Sequence, residues 1–521
     1  MLPIETSPHD PNVVYAGSQY LHRTRDEGVT WERISPDLTW NPPERQQRVS
    51  GEPITIDVTG EEYYSTLYAI RESPVQRGVI WTGANDGPFS VTRDHGKTWK
   101  TVTPRAQPQG CRVQNIEPSP HRAASAYYAV LCYLLGDFRP YIWRTDDFGA
   151  TWTLLTPGNN GIPADEPTRV VREDPARAGL LYAGTEFGLF VSFDNGTRWQ
   201  SLQLNLPVTP ITDMKIHRND MVLSTQGRGF WILDDITPLQ QLGLGTIPSK
   251  HLLRPRTAYR MRYIANFGGI ESIRQSSVDP QYLPPGAVIN YWLADSKALV
   301  RLEVLDATGA VIRMMSSEDD TTVREPQTMS SPRPFVPSAG ATRLSKVSGL
   351  NRYVWDLSLA GPWDTNVRRN GRNGPMILPG TYTVRFTTGG ITETQPLKVE
   401  ADPRIARDGI TTEIMREQLA HNISVRDLVT DVNLTVARLG ELKKKFANNP
   451  TTMAALAAVE AKLVTPLIRY SKPGLQAHIQ YLYGAAMDAD QKVGRDAIER
   501  HGVLRKELDA IINELKQIDS I

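Results

Sequence analysis

Cysteine is nearly absent from this chain, with only Cys111 and Cys132 in 521 residues. Two thiols are too few for a disulfide scaffold or a cysteine-ligated zinc site. They flank an expected hairpin whose register sets them nearly opposite one another; the plainer expectation is two buried thiols, with a bridge as the alternative. Excess charge of either sign is missing too. Lys plus Arg number 58 against 57 Asp plus Glu, a net charge of +1, which gives no support for nucleic acid or an anionic membrane as the main partner. No apolar run approaches the roughly 20 residues needed to span a bilayer. The opening Met1-Leu2-Pro3-Ile4-Glu5 has no basic region followed by an apolar core, so no signal peptide is expected there.

What is present is repetition. The stretch Thr92-Arg93-Asp94-His95-Gly96-Lys97-Thr98-Trp99 has three variants within the first 200 residues. They carry Asp26 and Trp31, Asp147 and Trp152, and Asp194 and Trp199, and every copy reads Ser/Thr-x-Asp-x-Gly-x-x-Trp. An internal repeat fixes architecture before any single residue does. The aspartate can accept bonds from backbone N–H groups a few residues on. Glycine takes a conformation that a side chain would penalise, and tryptophan wedges between packed sheets. These are folding roles, so the box aspartates and tryptophans are expected to be structural.

Upstream of each box a proline precedes an aromatic residue by seven: Pro8 and Tyr15, Pro74 and Trp81, Pro120 and Tyr127, Pro175 and Tyr182. Four short strands per unit, separated by turn residues, is the pattern of a propeller blade. A fifth unit, from Ile211 to Asp235, lacks the box and its fourth strand. The expected fold is therefore mainly β: an Asp-box β-propeller of about five blades over 1–242, incomplete as read here. The ring is expected to be completed by a second chain or by a missing N-terminal half.

Strand alternation places the box turns on one face and the turns between second and third strands on the other. That second face is the expected ligand face. Its turns hold Gln19 and Tyr20, Asn85 and Asp86, Asp137 and Arg139, Glu186 and Phe187, and Gln226 and Arg228. Both signs of charge plus aromatic rings suit a glycan, a peptide or a protein partner. Glycoside hydrolysis needs two facing carboxylates; Asp86 and Glu186 are the candidate catalytic acids, and segment 57–62 holds further ones. A sialidase would also need an arginine cluster to clamp its substrate's carboxylate, and only Arg139 and Arg228 are suitably placed. His9 and His121 lie in Ser-Pro-His turns with no second ligand at metal spacing, so they read as turn residues. No metal and no cofactor is expected.

Residues 250–402 change period. Alternating runs such as Val300–Asp306 and Gly380–Phe386 suggest an immunoglobulin-like sandwich, with the Ser/Thr/Pro-rich stretch 316–345 as an insertion outside its core. From 405 to 521 apolar residues recur at three- and four-residue steps, from Met415 and Leu428 to Leu504 and Leu515, which predicts an antiparallel helical bundle.

The four boxes, together with Gly227-Arg228-Gly229-Phe230-Trp231-Ile232-Leu233-Asp234-Asp235, resemble the bacterial BNR-repeat (Asp-box) proteins labelled sortilin-like or glycosyl-hydrolase-like. Box, sandwich and helical tail in that order look like the C-terminal half of a typical member. The resemblance implies a secreted or periplasmic protein that binds glycans or proteins, with glycoside hydrolysis or an assembly role as the alternatives.

Overall fold

Four hairpins set the architecture, and the box residues explain why they form. In the second box Gly96 N donates to Thr92 Oγ1 at 3.0 Å, and Asp94 accepts Thr98 N at 2.9 Å and Thr98 Oγ1 at 2.6 Å. Asp26 and Asp147 repeat this with Thr30 and Thr151, and Asp194 accepts from Arg198 N. His95 and Gly96 both take left-handed φ angles, 64° and 92°, which the glycine adopts without steric cost. Thr98 chiefly holds the Asp94 carboxyl down at about 2, because its bonds favour the charged form.

The computed structural model describes residues 2–45, 64–242, 248–262, 285–295, 297–318, 343–366 and 369–520. The acidic segment 57–62 and most of the 316–345 stretch lie outside the described residues. The chain divides into two compact units, Met1–Thr246 and Ile247–Ile521.

In the first unit five small antiparallel sheets follow one another as blades. Blade one joins β1 (Ile4–Thr6), β2 (Val14–Gly17), β3 (Leu21–Thr24) and β4 (Glu32–Arg33). Blade two is β5 (Leu67–Glu72), β6 (Ile80–Ala84), β7 (Phe89–Thr92) and β8 (Lys100–Thr101). Blade three is β9 (Arg112–Pro118), β10 (Ala126–Leu131), β11 (Tyr141–Thr145) and β12 (Thr153–Leu154). Blade four is β13 (Thr168–Glu173), β14 (Leu181–Thr185), β15 (Leu189–Ser192) and β16 (Gln200–Ser201). Blade five has three strands, β17 (Ile211–His217), β18 (Asp220–Thr225) and β19 (Phe230–Leu233), then the short helix α1 (Thr237–Gln241). Successive blades pack face to face, with no comparable packing of the fifth on the first among the described residues.

The box tryptophans tie each blade to the one before it. Trp99 Nε1 donates to Ile34 O at 2.9 Å, Trp152 Nε1 to Val102 O at 2.7 Å, and Trp199 Nε1 to Leu155 O at 3.0 Å. Trp31 has no such carbonyl partner among the described residues and is 46% exposed. The expectation that all four tryptophans are held between sheets therefore holds for three.

A longer repeat of two blades underlies the shorter one. His9 Nε2 bonds to Ser73 O and His121 Nε2 to Asp174 O, both at 2.8 Å. Each Ser-Pro-His turn thus stitches an odd blade to the next even one. Arg71 pairs with Glu5 across blades one and two, as Arg172 pairs with Glu117 across blades three and four. The cysteines correct the expectation of free thiols: Cys111 and Cys132 are bridged, with Cα atoms 4.7 Å apart. The hairpin brings their backbones within disulfide range.

Among the described residues of the second unit, eight strands form two sheets over one core. They are β20 (Lys250–Leu252), β21 (Ala258–Arg260), β22 (Ala287–Leu293), β23 (Val300–Leu305), β24 (Val311–Ser316), β25 (Gly349–Trp355), β26 (Gly380–Thr388) and β27 (Ile391–Ala401). One sheet orders β20-β22-β25 and the other β21-β27-β26-β23-β24, with Tyr291, Trp355, Leu302 and Phe386 buried in the shared core. Helices follow: α2 (Pro403–Arg407), α3 (Thr412–Lys445), α4 (Pro450–Leu463), α5 (Leu475–Met487) and α6 (Arg495–Asp519). Thr411 and Asn449 cap α3 and α4 by accepting from Ile414 N and Thr452 N. Val425, Leu428, Val432, Leu456, Ile479, Leu504 and Leu508 form the bundle core. Helix α4 stops at Leu463, because Thr465 precedes Pro466 and a pre-proline residue disfavours helix.

Candidate binding site

The face opposite the boxes is built by a recurring irregularity in the first strand of blades two to five. The β5–β6, β13–β14 and β17–β18 ladders slip between Leu67 and Ala69, Thr168 and Val170, and Ile211 and Asp213. The β9–β10 ladder slips opposite Ala129–Val130. Tyr68, Gln114, Arg169 and Thr212 are the residues left without a register partner. A bulge frees one side chain from the pleat and re-aims it, as strands beside binding sites commonly do. The second-to-third-strand turns pack against the same level. Asn85 N donates to Thr66 O, Glu186 N to Pro167 O, and Gln226 N to Pro210 O.

Around these bulges the charges are unevenly satisfied. Arg169 Nε donates to Glu186 Oε1 at 2.6 Å, and its Nη2 reaches Gln226 Oε1 at 3.5 Å. Glu186, Arg169 and Gln226 thus form one cluster spanning blades four and five, with Phe187 exposed beside it. Arg112 lies over the Tyr68 ring, 4.5 Å from Cζ to centroid, the geometry of a cation–π contact. Its Nε and the Oε1 of Gln114 are buried without a hydrogen-bond partner among the described residues.

The remaining candidates are more self-contained. Asp137 accepts from Arg139 Nε at 2.9 Å, Arg139 Nη2 at 2.8 Å and Tyr141 Oη at 2.8 Å. The Arg139 bonds hold its carboxyl at about 2, while burial and then Asp137 push the Tyr141 hydroxyl up to about 12. Asp86 is buried, and its Oδ2 accepts Trp40 N and Asn41 N, both at 3.0 Å. Burial raises its pKa, against the pull of those donors. Arg33 stacks on Tyr20 at 4.7 Å, and Gln19 O accepts Leu38 N at 3.0 Å. Arg228 lies in an exposed turn whose Thr225 Oγ1 accepts Arg228 N at 3.2 Å.

Glu186 and Gln226 are thus brought together, and Asp137 with Arg139. Asp86 and Glu186 share no partner among the described residues; one anchors the connection between blades one and two, the other pairs with Arg169. Reading the turns alone missed Tyr68, Arg112, Gln114, Arg169 and Thr212, which sit on strands. Their signal in the sequence is a polar or aromatic residue next to a buried one at each strand start, as in Leu67-Tyr68, Val113-Gln114 and Thr168-Arg169. Among the described residues no helix is long and apolar enough to cross a membrane.

No family model matches the chain, and no curated protein matches it. Solved propellers do. A xyloglucanase of the GH74 class from Xanthomonas campestris is 17% identical with a TM-score of 0.34, over 49% of this chain and 40% of that one. The GH74 enzyme of Niastella koreensis is 13% identical, TM-score 0.33, over 77% and 57%. YCF48 from Cyanidioschyzon merolae is 13% identical, TM-score 0.31, over 43% and 66%. The chain spans less than half the length of the Xanthomonas enzyme. Similarity this distant carries no functional argument; its own five blade-like sheets make the first unit a β-propeller.

Proposed function

We propose that this chain is a sortilin-like propeller binding module, and that a glycan, a peptide or a protein partner sits on the bulged face opposite the Asp boxes. The observation that carries this reading is the pair of buried polar atoms without partners, Arg112 Nε and Gln114 Oε1, beside the Tyr68 ring. A buried polar group left unpaired costs about 1–3 kcal/mol, and a polar ligand would recover it. The Glu186–Arg169–Gln226 cluster and the exposed Phe187 supply further polar and apolar contacts on the same face. The bridge between Cys111 and Cys132 fits a secreted or periplasmic location, since disulfides persist in oxidising compartments.

Glycoside hydrolysis has less support. It requires two carboxylates flanking one bond, and Asp86 spends its Oδ2 on two backbone N–H groups. The test is a binding panel of glycans and peptides with a parallel panel of chromogenic glycosides, run on wild type, Arg112→Ala, Asp86→Asn and Glu186→Gln. Binding that weakens in Arg112→Ala without any turnover supports the module; turnover lost in Asp86→Asn or Glu186→Gln would replace it with a hydrolase.

A second reading has its own observation. Trp31 has no preceding carbonyl of the kind that holds Trp99, Trp152 and Trp199, and on the fifth blade Phe230 is 80% and Ile232 58% exposed. Open blade faces of this kind favour an assembly role in which further blades complete the ring. Light scattering tests it, and a well-folded strict monomer would argue against it.

A further inference from the structure

Comparing the two copies of the blade pair isolates a site on the box face. In blade three, Arg144 Nε stands 3.1 Å from Asp146 Oδ2, and Arg122 Nη2 bonds to Asp146 Oδ1 at 2.8 Å. Asp146 is the second residue of its box, and the same position in blade one is Arg25. Arg144 itself corresponds to Arg23, since the ladders pair Tyr127 with Arg144 and Tyr15 with Arg23. The aspartate that neutralises an arginine in one copy is therefore an arginine in the other. In the facing box the cation moves by one position: blade two has Lys97 and Thr98 where blade four has Thr197 and Arg198.

The result is an open cleft of about 950 Å³ between blades one and two, lined by Arg23, Arg25, Arg77, His95, Lys97 and Glu32. Glu32 takes Arg23 Nη2 at 2.6 Å, and Asp10 takes Arg77 at 3.2 Å. Among the described residues no carboxylate pairs with Arg25 or Lys97, and Arg23 Nε, like Arg144 Nε in blade three, is buried without a hydrogen bond. The chain as a whole is nearly neutral at +1, so this concentration of cations is local. Like charges held together with no counter-charge repel, and guanidinium groups pair best with oxyanions that accept several N–H bonds.

We infer that the cleft between blades one and two binds a tetrahedral oxyanion, sulfate or phosphate, either free or as an ester. Glu32 already pairs with Arg23 where blade three has Thr153, and the anion supplies the counter-charge that Arg25 and Lys97 lack. It accepts from Arg23 Nε and sits between Arg25 and Lys97. The site lies on the opposite face from the bulged rim and stands independently of it.

Calorimetric titration with inorganic phosphate, inorganic sulfate and a heparin-derived tetrasaccharide tests this, with chloride at matched ionic strength as the reference. The variant to compare is Arg25→Asp, which puts a carboxylate at the position of Asp146; Arg25 is exposed, and circular dichroism checks that the fold is kept. A second variant, Lys97→Thr, removes the cation that the second blade's box adds to the cleft. Binding of either inorganic ion above chloride, weakened about tenfold or more in Arg25→Asp, supports a site for the free anion. Binding of the tetrasaccharide alone, weakened likewise, supports the ester. No binding above chloride, or binding that neither variant alters, overturns the inference.

Discussion

Arg172 Nη2 lies 2.6 Å from Asp213 Oδ1 while Arg172 Nη1 lies 3.4 Å from Glu117 Oε2, so one side chain of the fourth blade ties the third to the fifth. Its remaining donors are also used, Nε on Met214 O at 2.8 Å and Nη1 on Asn115 Oδ1 at 2.7 Å. Full satisfaction of this kind allows a guanidinium to be buried. Arg71 and Glu5 form the counterpart between the first two blades.

Glu117 pays for its place beside Arg172. Burial pushes its carboxyl up from 4.5 to about 7, outweighing the attraction of Arg172 and Arg71. Between those two values the folded chain holds more protons than the unfolded one, so stability falls as pH rises through that window. The contribution is complete below pH 4.5 and lost above about 7. Glu117→Gln imitates the protonated form. Its stability relative to wild type should rise by about 1–3 kcal/mol between pH 5 and pH 8. Denaturation of both proteins at the two pH values checks this, and a difference that stays constant with pH would contradict it.

The tryptophans separate by partner. Trp152 packs edge-on against Phe89 and Tyr128, at 5.6 and 5.1 Å between centroids, and bonds to Val102 O. Trp152→Ala should cost about 3–5 kcal/mol, as large aromatic deletions in cores do. Trp31→Ala removes a half-exposed ring with no blade against it and should cost about 0.5 kcal/mol or less in the isolated chain. Equal losses in the two variants, read from urea unfolding, would mean that another surface already covers Trp31.

The boxes were legible because their chemistry is local: an aspartate, a left-handed pair and a threonine lie within eight residues. The turn positions followed from strand alternation. The candidate face was only half visible, because Arg169, Arg112 and Gln114 owe their places to bulges, and a bulge depends on pairing with a distant strand rather than on neighbours in sequence. The Cys111–Cys132 bridge had the same character. Opposition across a hairpin was readable, whereas the closeness of the two backbones belongs to the folded ladder. Asp86 looked like a free acid in a polar turn, yet its partners Trp40 and Asn41 come from 46 and 45 residues away.

In the second unit Asp490 is bound by Arg260 Nη1 at 2.5 Å and Arg262 Nε at 2.9 Å, with side chains of Arg260 and Asp490 only 3% and 4% exposed. Burial alone would raise the Asp490 carboxyl, but the two arginines hold it below its ordinary 3.8. Its stabilising contribution is therefore present above that value and lost as pH falls through the folded one. Asp490→Asn leaves Arg260 buried without a counter-charge and should cost about 3–5 kcal/mol at neutral pH. The gap from wild type should narrow on acidification. Thermal melts at pH 7 and pH 3 measure both effects, and a variant as stable as wild type at pH 7 would show that water replaces the lost carboxylate.

The disulfide offers a test that joins stability to binding. Cys111 adjoins Arg112, and Cys132 opens the turn that carries Asp137 and Arg139. The bridge closes a loop between residues 21 apart, and a cross-link of this span is worth about 2–4 kcal/mol through the unfolded chain. Cys132→Ser, or reduction of the wild type, should lower the melting temperature of the propeller unit accordingly. It should also loosen Arg112 over Tyr68, so a ligand of the bulged face should dissociate faster while anion binding between blades one and two stays unchanged. Loss of both activities together would mean that the bridge supports the whole unit rather than this one rim.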